Sequence, residues 1–322
     1  MSKFKKIVLV LLIILAILIV TAVGGAYYKL SKIQRITLNE GNLGVSEQAK
    51  QNLSTYRNIA ILGIDSREDS YSKGNRSDCI IIASINNDTK EVKLISVYRD
   101  TYVQIEEHGL DKITHAYSFG SAELALNTLN TNFDLNITEF VTINFDAVKE
   151  IIDSIGGISM VITDEEVRHI PGISQAGVYN LSGEQVLAYA RIRHAEGGDH
   201  KRTERMRDVL AQTVNKVKTF DAIQLNSLVD TLLPKVYTNI SSSEIISLIP
   251  SISSYKVKES IGWPYETEGK TIDKIWYGIP ITLESNVTQL HKDAFKETNY
   301  TPSETVKQIS NSIIGVTGYN NE

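Results

Sequence analysis

The stretch NIAILGID, residues 58–65, decides the fold prediction. A short, continuous apolar run that ends in glycine and aspartate is typical of a β-strand buried on both faces. Two similar runs follow, CIIIASIN (79–86) and VKLISV (92–97), and the intervening NDTK is a turn signal. The three runs therefore predict a central strand followed by a β-hairpin in the same sheet.

Helical and strand-like patterns alternate after this hairpin. Helical spacing occurs in SAELALNTLNTNF and in FDAVKEIIDSIGG, which stops at a glycine pair, while EFVTINF and ISMVI are strand-like. Ser182 and Gln185 form a capping box at the start of LSGEQVLAYARIRH, and RTERMRDVLAQTVNKVKTF is a long amphipathic helix. This alternation predicts an α/β layered fold. We find no linker that divides residues 50–320.

The N-terminal segment differs from the rest of the chain. Three lysines precede an uncharged apolar run, residues 7–28, about as long as the ~20 residues that cross a bilayer. The apolar core of a signal peptide is usually ~7–15 residues, so we expect an uncleaved anchor, with cleavage after the run as the alternative. The predicted organisation is a cytoplasmic N-terminus (1–6), a transmembrane helix (7–28), a polar stalk (29–56) and an extracellular domain (57–318).

Charge and cysteine content exclude several classes of function. Without the three N-terminal lysines, 30 basic face 38 acidic residues, a net charge of −8, which disfavours a nucleic-acid partner. Cys79 is the only cysteine of the sequence, so an internal disulfide and a cysteine-rich zinc site are both excluded.

The arginines are unevenly distributed. All 11 lie at or before Arg207, and five of them fall in ARIRHAEGGDHKRTERMRD, residues 190–208. Arginine is preferred to lysine where a planar fork grips phosphate or carboxylate. The stretch predicts a site for several negative charges. A charged surface helix, paired by its own glutamates and aspartate, is the alternative.

Other charged residues follow or precede the predicted strands. Asp65 follows the first strand, Arg76 and Asp78 precede the second, and Arg99 and Asp100 follow the third. Ligands of open α/β sheets bind where strands end. Two carboxylates without histidine or cysteine companions suit Mg²⁺, so Asp65 and Asp78 are candidate metal ligands. Salt-bridged Asp–Arg pairs are the alternative.

The stretch DKITHAYSFGSAE contributes Lys112 and His115 just before a helix. Lys112 is a candidate anion ligand, because a helix N-terminus favours negative charge. His115 is a candidate general base, with a structural role as the alternative. No Ser/His/Asp constellation with elbow glycines, Walker loop or strand-associated G-x-G-x-x-G occurs in the sequence.

Behind one apolar N-terminal span, the sequence contains in order the blocks NIAILGIDSRE, NRSDCIIIASIN, LISVYRDTYV, DKITHAYSFG, NFDAVKEIIDSIGGI, LSGEQVLAYARIRH and DHKRTERMRDVL. Together they resemble the LytR–CpsA–Psr family of Gram-positive cell-envelope proteins, most densely over residues 57–210. The resemblance implies an α/β fold, a three-layer α/β/α domain with a central sheet, preceded by one N-terminal transmembrane helix. It implies an apolar tunnel for a polyprenyl pyrophosphate lipid. Leu124, Leu126, Phe140 and Val148 are candidate lining residues, with ordinary core packing as the alternative.

The resemblance also implies the activity. Family members transfer a glycopolymer, of the teichoic acid or capsular polysaccharide type, from the polyprenyl pyrophosphate carrier to a peptidoglycan hydroxyl, forming a phosphodiester. The expected cofactor is Mg²⁺ or Mn²⁺. The expected partners are the lipid-linked glycopolymer, peptidoglycan and the cell membrane, with the domain outside the cell. A hydrolase of the same lipid and a non-enzymatic, membrane-anchored regulator or lipid-binding protein are the alternatives.

The resemblance and the residue patterns together define a predicted site. Its metal ligands are Asp65 and Asp78, and its catalytic residues are Arg99, Asp100, Arg191 and Arg193. The pyrophosphate ligands are Arg76, Arg99, Lys112, Arg191, Arg193, Asp199 and Arg202. Arg205 is left undecided, and Arg207 is expected at the surface. Met206 departs from the family, which usually has glutamine at that position.

Overall fold

The computed structural model describes residues 34–66, 71, 73–192, 198–258 and 260–320. The predicted membrane helix, residues 7–28, lies outside this part of the chain. Within the described ranges, no helix has both the length and the apolar character needed to span a bilayer.

The strands and helices alternate along the chain. The strands are β1 (Gln34–Arg35), β2 (Tyr56–Ile64), β3 (Ser77–Asn86), β4 (Glu91–Val97), β5 (Tyr102–Ile105), β6 (Gly109–Lys112), β7 (Glu139–Asn144), β8 (Ile158–Ile162), β9 (Gly177–Leu181), β10 (Val236–Thr238), β11 (Lys256–Val257), β12 (Ile261–Trp263), β13 (Thr267–Ile272) and β14 (Ile275–Pro280). The α-helices are α1 (Glu47–Asn52), α2 (Ile113–Phe133), α3 (Phe145–Ser154), α4 (Asp164–Val167), α5 (Gly183–Ala190), α6 (Gly198–Val217), α7 (Ala222–Leu232), α8 (Ser242–Leu248), α9 (Leu283–Phe295) and α10 (Glu304–Thr317).

One eight-stranded sheet forms the centre of the structure. Its order is β1-β10-β7-β2-β3-β4-β11, and β12 also pairs with β4. Strand β2 carries the NIAILGID sequence and lies between β7, to which it is parallel, and β3, to which it is antiparallel. β3 and β4 form the predicted antiparallel hairpin. The central strand and the hairpin are confirmed.

Helices cover both faces of this sheet. Ala60, Leu62 and Ile64 alternate along β2 and belong to a core cluster that includes much of α2, α9 and α10. The opposite face presents Ile81 and neighbouring apolar residues to α6, through Leu210 and Ala211. The uninterrupted apolar composition of β2 and β3 is explained by this two-sided burial. The mixed α/β class predicted from the sequence is confirmed.

A second core cluster lies under the β8–β9 hairpin and includes residues of α3, α5, α6 and α7. Helix α3 ends at Ser154, just before the predicted glycine pair, Gly156 and Gly157, whose φ angles are +76° and +81°. A Cβ at Gly157 would lie 2.6 Å from the Leu181 carbonyl oxygen, so the turn between α3 and β8 requires glycine there.

The four candidate tunnel residues do not share one cluster. Leu126 and Phe140 are fully buried in the large core, and Leu124 packs against it. Val148 packs instead on the second cluster, because α3 directs it toward the β8–β9 hairpin.

The segment before β2 is packed on the domain from Gln34 onward, whereas the sequence predicts a stalk over residues 29–56. β1 pairs with β10, and Leu43 and Leu53 are fully buried in the large core. Two leucines spaced ten residues apart in a polar segment give no amphipathic period. Their burial therefore depends on contacts with distant parts of the chain.

Candidate functional site

Four strand ends meet at one edge of the sheet. β2, β4 and β7 run in the same direction and end there, whereas β3 runs oppositely and begins there. The edge therefore carries Asp65 after β2, Asp78 in β3, Arg99 after β4 and Phe145 after β7. Adjacent strands are separated by about 4.8 Å, so these residues form one short row.

A cavity of about 230 Å³ opens at this edge. Asp65, Asp78, Phe145, Arg191, Arg202 and Met206 line it. Arg191 is the C-cap of α5, and Arg202 lies near the beginning of α6. Helix α5 begins at the predicted Ser182–Gln185 capping box. Four of the predicted site residues, from segments more than 100 positions apart, thus surround one cavity.

Phe145 lines the cavity and was not predicted as a site residue from the sequence. The Arg191 guanidinium carbon lies 4.7 Å from the centre of the Phe145 ring, within cation–π distance. The ring supports the exposed Arg191 side chain at the cavity wall. The available signal was the position of Phe145 directly after Asn144, the last residue of a strand that ends beside β2.

Arg202 combines deep burial with access to the cavity. The residue is 1% exposed. A buried guanidinium is costly unless negative charge lies near it, and its interaction with an anion is stronger there than in water. An anion in this cavity would meet one buried and one exposed arginine, Arg202 and Arg191.

Arg99, Asp100 and Lys112 form a chain of ion pairs that leads to the cavity. Arg99 Nη1 donates to Asp78 Oδ1 over 3.0 Å, and Arg99 Nε lies 3.5 Å from Asp100 Oδ2. Lys112 Nζ donates to Asp100 Oδ1 over 2.7 Å. Of these residues, only Asp78 is among the described residues that line the cavity. Arg99 therefore pairs with Asp78 at the cavity wall, and Lys112 pairs with the neighbouring carboxylate of Asp100.

His115 lies in a polar cluster at the beginning of α2. Its Nδ1 lies 2.8 Å from Asp111 Oδ2, and Tyr277 Oη donates to Asp111 Oδ1 over 3.4 Å. Burial acts to raise the pKa of Asp111, but hydrogen bonds from His115 and the Lys112 amide outweigh it and hold the pKa below its ordinary value. His115 is not among the described residues that line the cavity.

Arg205, undecided from the sequence, is buried. Its Nε donates to Glu166 Oε1 over 2.8 Å, and its Nη1 donates to the Ile192 carbonyl over 3.2 Å. The guanidinium also lies 5.9 Å from the centre of the Tyr189 ring. Arg205 therefore connects α4, the segment after α5, and α6.

Arg207, expected at the surface, is half-buried. Burial of the Tyr98 phenol raises its pKa, and the positive charge of Arg207 acts in the opposite direction. The expectation of a surface position is wrong because Arg207 shares a face of α6 with His200 and Glu204, and this face turns toward Tyr98.

The remaining predicted site residues are Arg76, Asp199 and Arg193. Arg76 is exposed just before β3 and is not among the described residues that line the cavity. Asp199 lies in the first turn of α6, and only its backbone is described. Arg193 lies outside the described residues.

The LytR_cpsA_psr family model matches residues 26–294. The chain belongs to the LytR–CpsA–Psr family. The resemblance found in the sequence blocks is thereby confirmed.

Two curated relatives of this family are transferases. The chain is 32% identical to polyisoprenyl-teichoic acid–peptidoglycan teichoic acid transferase TagT of Bacillus subtilis, over 83% of this chain and 89% of TagT. It is 35% identical to the corresponding transferase TagU of Enterococcus faecalis, over 69% of this chain and 75% of TagU.

A solved LytR–Cps2A–Psr family structure, TagT with bound octaprenyl pyrophosphate lipid, has the same fold. The superposition covers 88% of this chain and 100% of that chain, with a TM-score of 0.60 and 23% identity.

Proposed function

We propose that this protein transfers a glycopolymer of the teichoic acid or capsular polysaccharide type from a polyprenyl pyrophosphate carrier to a hydroxyl of peptidoglycan. The observation that carries the proposal is the cavity at the sheet edge, where Arg191 and Arg202 face Asp65 and Asp78. Two arginines beside two carboxylates suit a pyrophosphate that shares a divalent cation with the protein.

The named relatives support the same activity. TagT and TagU are teichoic acid transferases that act on peptidoglycan, and this chain covers three quarters or more of each. The fold also resembles that of TagT with octaprenyl pyrophosphate lipid bound. Both observations favour a polyprenyl pyrophosphate donor and a peptidoglycan acceptor for this chain.

The proposed reaction is a phosphoryl transfer. The acceptor hydroxyl oxygen attacks the phosphorus that carries the polymer, and the bond from this phosphorus to the oxygen bridging it to the lipid phosphate breaks. The products are a phosphodiester between polymer and peptidoglycan, a polyprenyl phosphate and the proton of the hydroxyl. Arg191 and Arg202 would stabilise the charge that develops on the two phosphates. Asp100 and His115 stay candidates for the base.

The cavity fits a hard divalent cation, Mg²⁺ or Mn²⁺. Its described lining residues provide the Asp65 and Asp78 carboxylates and neither imidazole nor thiolate. Among all described residues, no group of three or more His, Cys, Asp and Glu is arranged to hold a metal. Two carboxylates suffice for Mg²⁺, which usually retains waters and binds substrate phosphates. When bound, the ion would neutralise phosphate charge.

We further propose that residues 7–28 anchor the protein in the cell membrane, with residues 1–6 in the cytoplasm and the three-layer domain outside. The lysines before the apolar run support this orientation. The anchor would keep the cavity near a lipid carrier that itself stays in the membrane.

Full-length protein incubated with a lipid-linked glycopolymer, with and without peptidoglycan, tests the proposal. We expect the polymer to become attached to peptidoglycan through a phosphodiester, and we expect EDTA to stop the reaction until Mg²⁺ or Mn²⁺ is added. Release of polymer phosphate at the same rate without peptidoglycan would instead establish a hydrolase. Full cellular function of Arg191→Ala, in a protein that folds, would support a non-enzymatic role.

A further inference from the structure

We infer that Tyr98 and His200 form a saccharide-binding platform beside the phosphate cavity. The inference rests on the proposed function, because it names the part of the site that would hold a sugar ring of one of the two substrates. The platform consists of these two side chains, and neither was singled out as a site residue from the sequence.

The two rings are stacked in parallel. Their centres are 4.1 Å apart, and the angle between their planes is 9°. Tyr98 is half-buried, whereas His200 is exposed. Because Tyr98 covers one face of the imidazole, the surface that His200 presents to solvent is the opposite face and its edge.

Tyr98 is held by contacts with β12. Its amide donates to the Trp263 carbonyl over 2.9 Å, and Trp263 is fully buried. A Cβ at Gly262 would lie 2.3 Å from Tyr98 Oη and 3.1 Å from its Cζ. The phenol therefore packs directly on the backbone of Gly262. This position of the ring is possible only because residue 262 has no side chain.

The platform lies at the same end of the sheet as the cavity. Tyr98 precedes Arg99, which donates to Asp78 at the cavity wall. His200 lies two positions before the cavity residue Arg202 on α6, a rise of about 3 Å along the axis but a rotation of about 200°, so its side chain is directed toward Tyr98 and away from that of Arg202. Along the sheet edge, the end of β4 lies two strand spacings, about 10 Å, from the end of β2. A sugar attached to a phosphate in the cavity can therefore extend toward the platform.

A rigid ring stack suits a saccharide better than it suits phosphate. The face of an aromatic ring carries partial negative charge and attracts the C–H groups on one face of a pyranose. The imidazole edge adds a nitrogen that can exchange hydrogen bonds with sugar hydroxyls. The sugar belongs either to the donor polymer or to the peptidoglycan acceptor. Lipid-binding measurements and the KM for the acceptor separate these two sources.

Binding to the full-length protein is measured for octaprenyl pyrophosphate and for the same lipid carrying N-acetylglucosamine. If the platform holds the donor sugar, His200→Ala weakens binding of the sugar-bearing lipid about three- to tenfold and leaves the sugar-free lipid unchanged. His200→Phe restores binding, because it retains a ring. If the platform holds the acceptor sugar, His200→Ala raises the KM for peptidoglycan glycan strands by a similar factor, and His200→Phe again restores it.

His108 provides a matched control. It is also exposed and stacks on an aromatic ring, Phe119, at 4.1 Å, but it lies in the turn between β5 and β6. We expect His108→Ala to leave binding of both lipids and the acceptor KM unchanged. Gly262→Ala, which displaces Tyr98 and so removes the ring on which the unchanged His200 stacks, should reproduce the His200→Ala defect.

Two results would overturn the platform. One is His200→Ala with unchanged affinity for both lipids and unchanged acceptor KM. The other is a defect that His200→Phe does not repair, which would indicate acid–base chemistry instead of stacking. Failure of the proposed function has a different signature, because the wild-type protein would then attach no polymer to peptidoglycan, whatever its affinity for the two lipids. Binding of glycan strands by the wild type and by His200→Ala would still test the platform.

Discussion

The Arg205 guanidinium donates to Glu166 Oε1 over 2.8 Å, and their side chains are only 7% and 8% exposed. The same guanidinium donates to the carbonyl of Ile192, the residue after Arg191. Arg202 lies one helical turn before Arg205 on α6. This buried ion pair thus connects the two segments that bring arginines to the cavity.

Arg205→Ala should destabilise the protein strongly. Removing one partner of a buried ion pair leaves the other charge uncompensated and typically costs about 3–5 kcal/mol. We expect a loss of this order in the free energy of unfolding, measured by denaturant titration. The control pair is Lys201 and Glu204 on the same helix, whose side chains are 53% and 43% exposed. Lys201→Ala should cost less than about 1 kcal/mol. Equal losses in the two variants would contradict this account of the buried pair.

The stability contributed by Glu166 should depend on pH. Burial acts to raise the pKa of Glu166, but hydrogen bonds from Thr163 and Arg205 outweigh it and hold the pKa below its ordinary value. A carboxyl with a depressed pKa in the folded state stabilises the protein fully above its unfolded pKa, about 4.3. This stability is lost as the pH falls through the lower, folded pKa.

The free energies of unfolding of wild type and Glu166→Gln, compared between pH 8 and pH 2, check this dependence. We expect a constant difference down to about pH 5 and a smaller one below about pH 4. A difference that does not change down to pH 2 would show that the Glu166 carboxylate is not responsible.

Arg191→Ala should abolish most of the activity without loss of stability. Arg191 is exposed and rests on Phe145, so its removal exposes no core. Loss of one preorganised charge-stabilising donor typically costs about 100- to 1000-fold in kcat. We expect a fall of this size in transfer to peptidoglycan, with an unchanged unfolding midpoint. Arg168→Ala, an exposed arginine at the end of α4, is the control and should retain activity. Similar activities of the two variants would exclude Arg191 from the chemistry.

Met206→Gln should improve binding of the lipid donor. Met206 lines the cavity and is 8% exposed, at the position where the family resemblance implies glutamine. The amide can donate to a phosphate oxygen, and one such hydrogen bond is worth about 0.5–1.5 kcal/mol. We expect the KM for the lipid donor to fall about two- to tenfold, with kcat unchanged. Met206→Leu preserves the apolar wall and should leave the KM unaltered. A KM that rises in Met206→Gln would mean that this wall contacts an apolar part of the substrate.

The sequence predicted those features that depend on local pattern. The apolar run at residues 58–65 is the central strand β2, the NDTK turn joins β3 to β4, and the Ser182–Gln185 capping box begins α5. Arg191 and Arg202, from the arginine-rich residues 190–208, line the cavity, and their role as pyrophosphate ligands stays a prediction. Each of these signals lies within about 20 neighbouring residues.

The features that were missed depend on contacts between distant segments. Burial of Leu43 and Leu53 requires the large core, which the surrounding polar sequence does not reveal. Glu166 and Arg205 are 39 positions apart, and their pairing follows from the packing of α4 against α6. Phe145 becomes a site residue only because β7 lies parallel to β2 and ends at the same edge.

The position of the pyrophosphate tests the central claim most directly. The measurement is a crystal structure of the protein with octaprenyl pyrophosphate and Mg²⁺. The account predicts both phosphates in the cavity at the sheet edge, within hydrogen-bonding distance of the Arg191 and Arg202 guanidinium groups and next to Asp65 and Asp78. Phosphates bound elsewhere, with Arg191 and Arg202 paired only to protein groups, would contradict it.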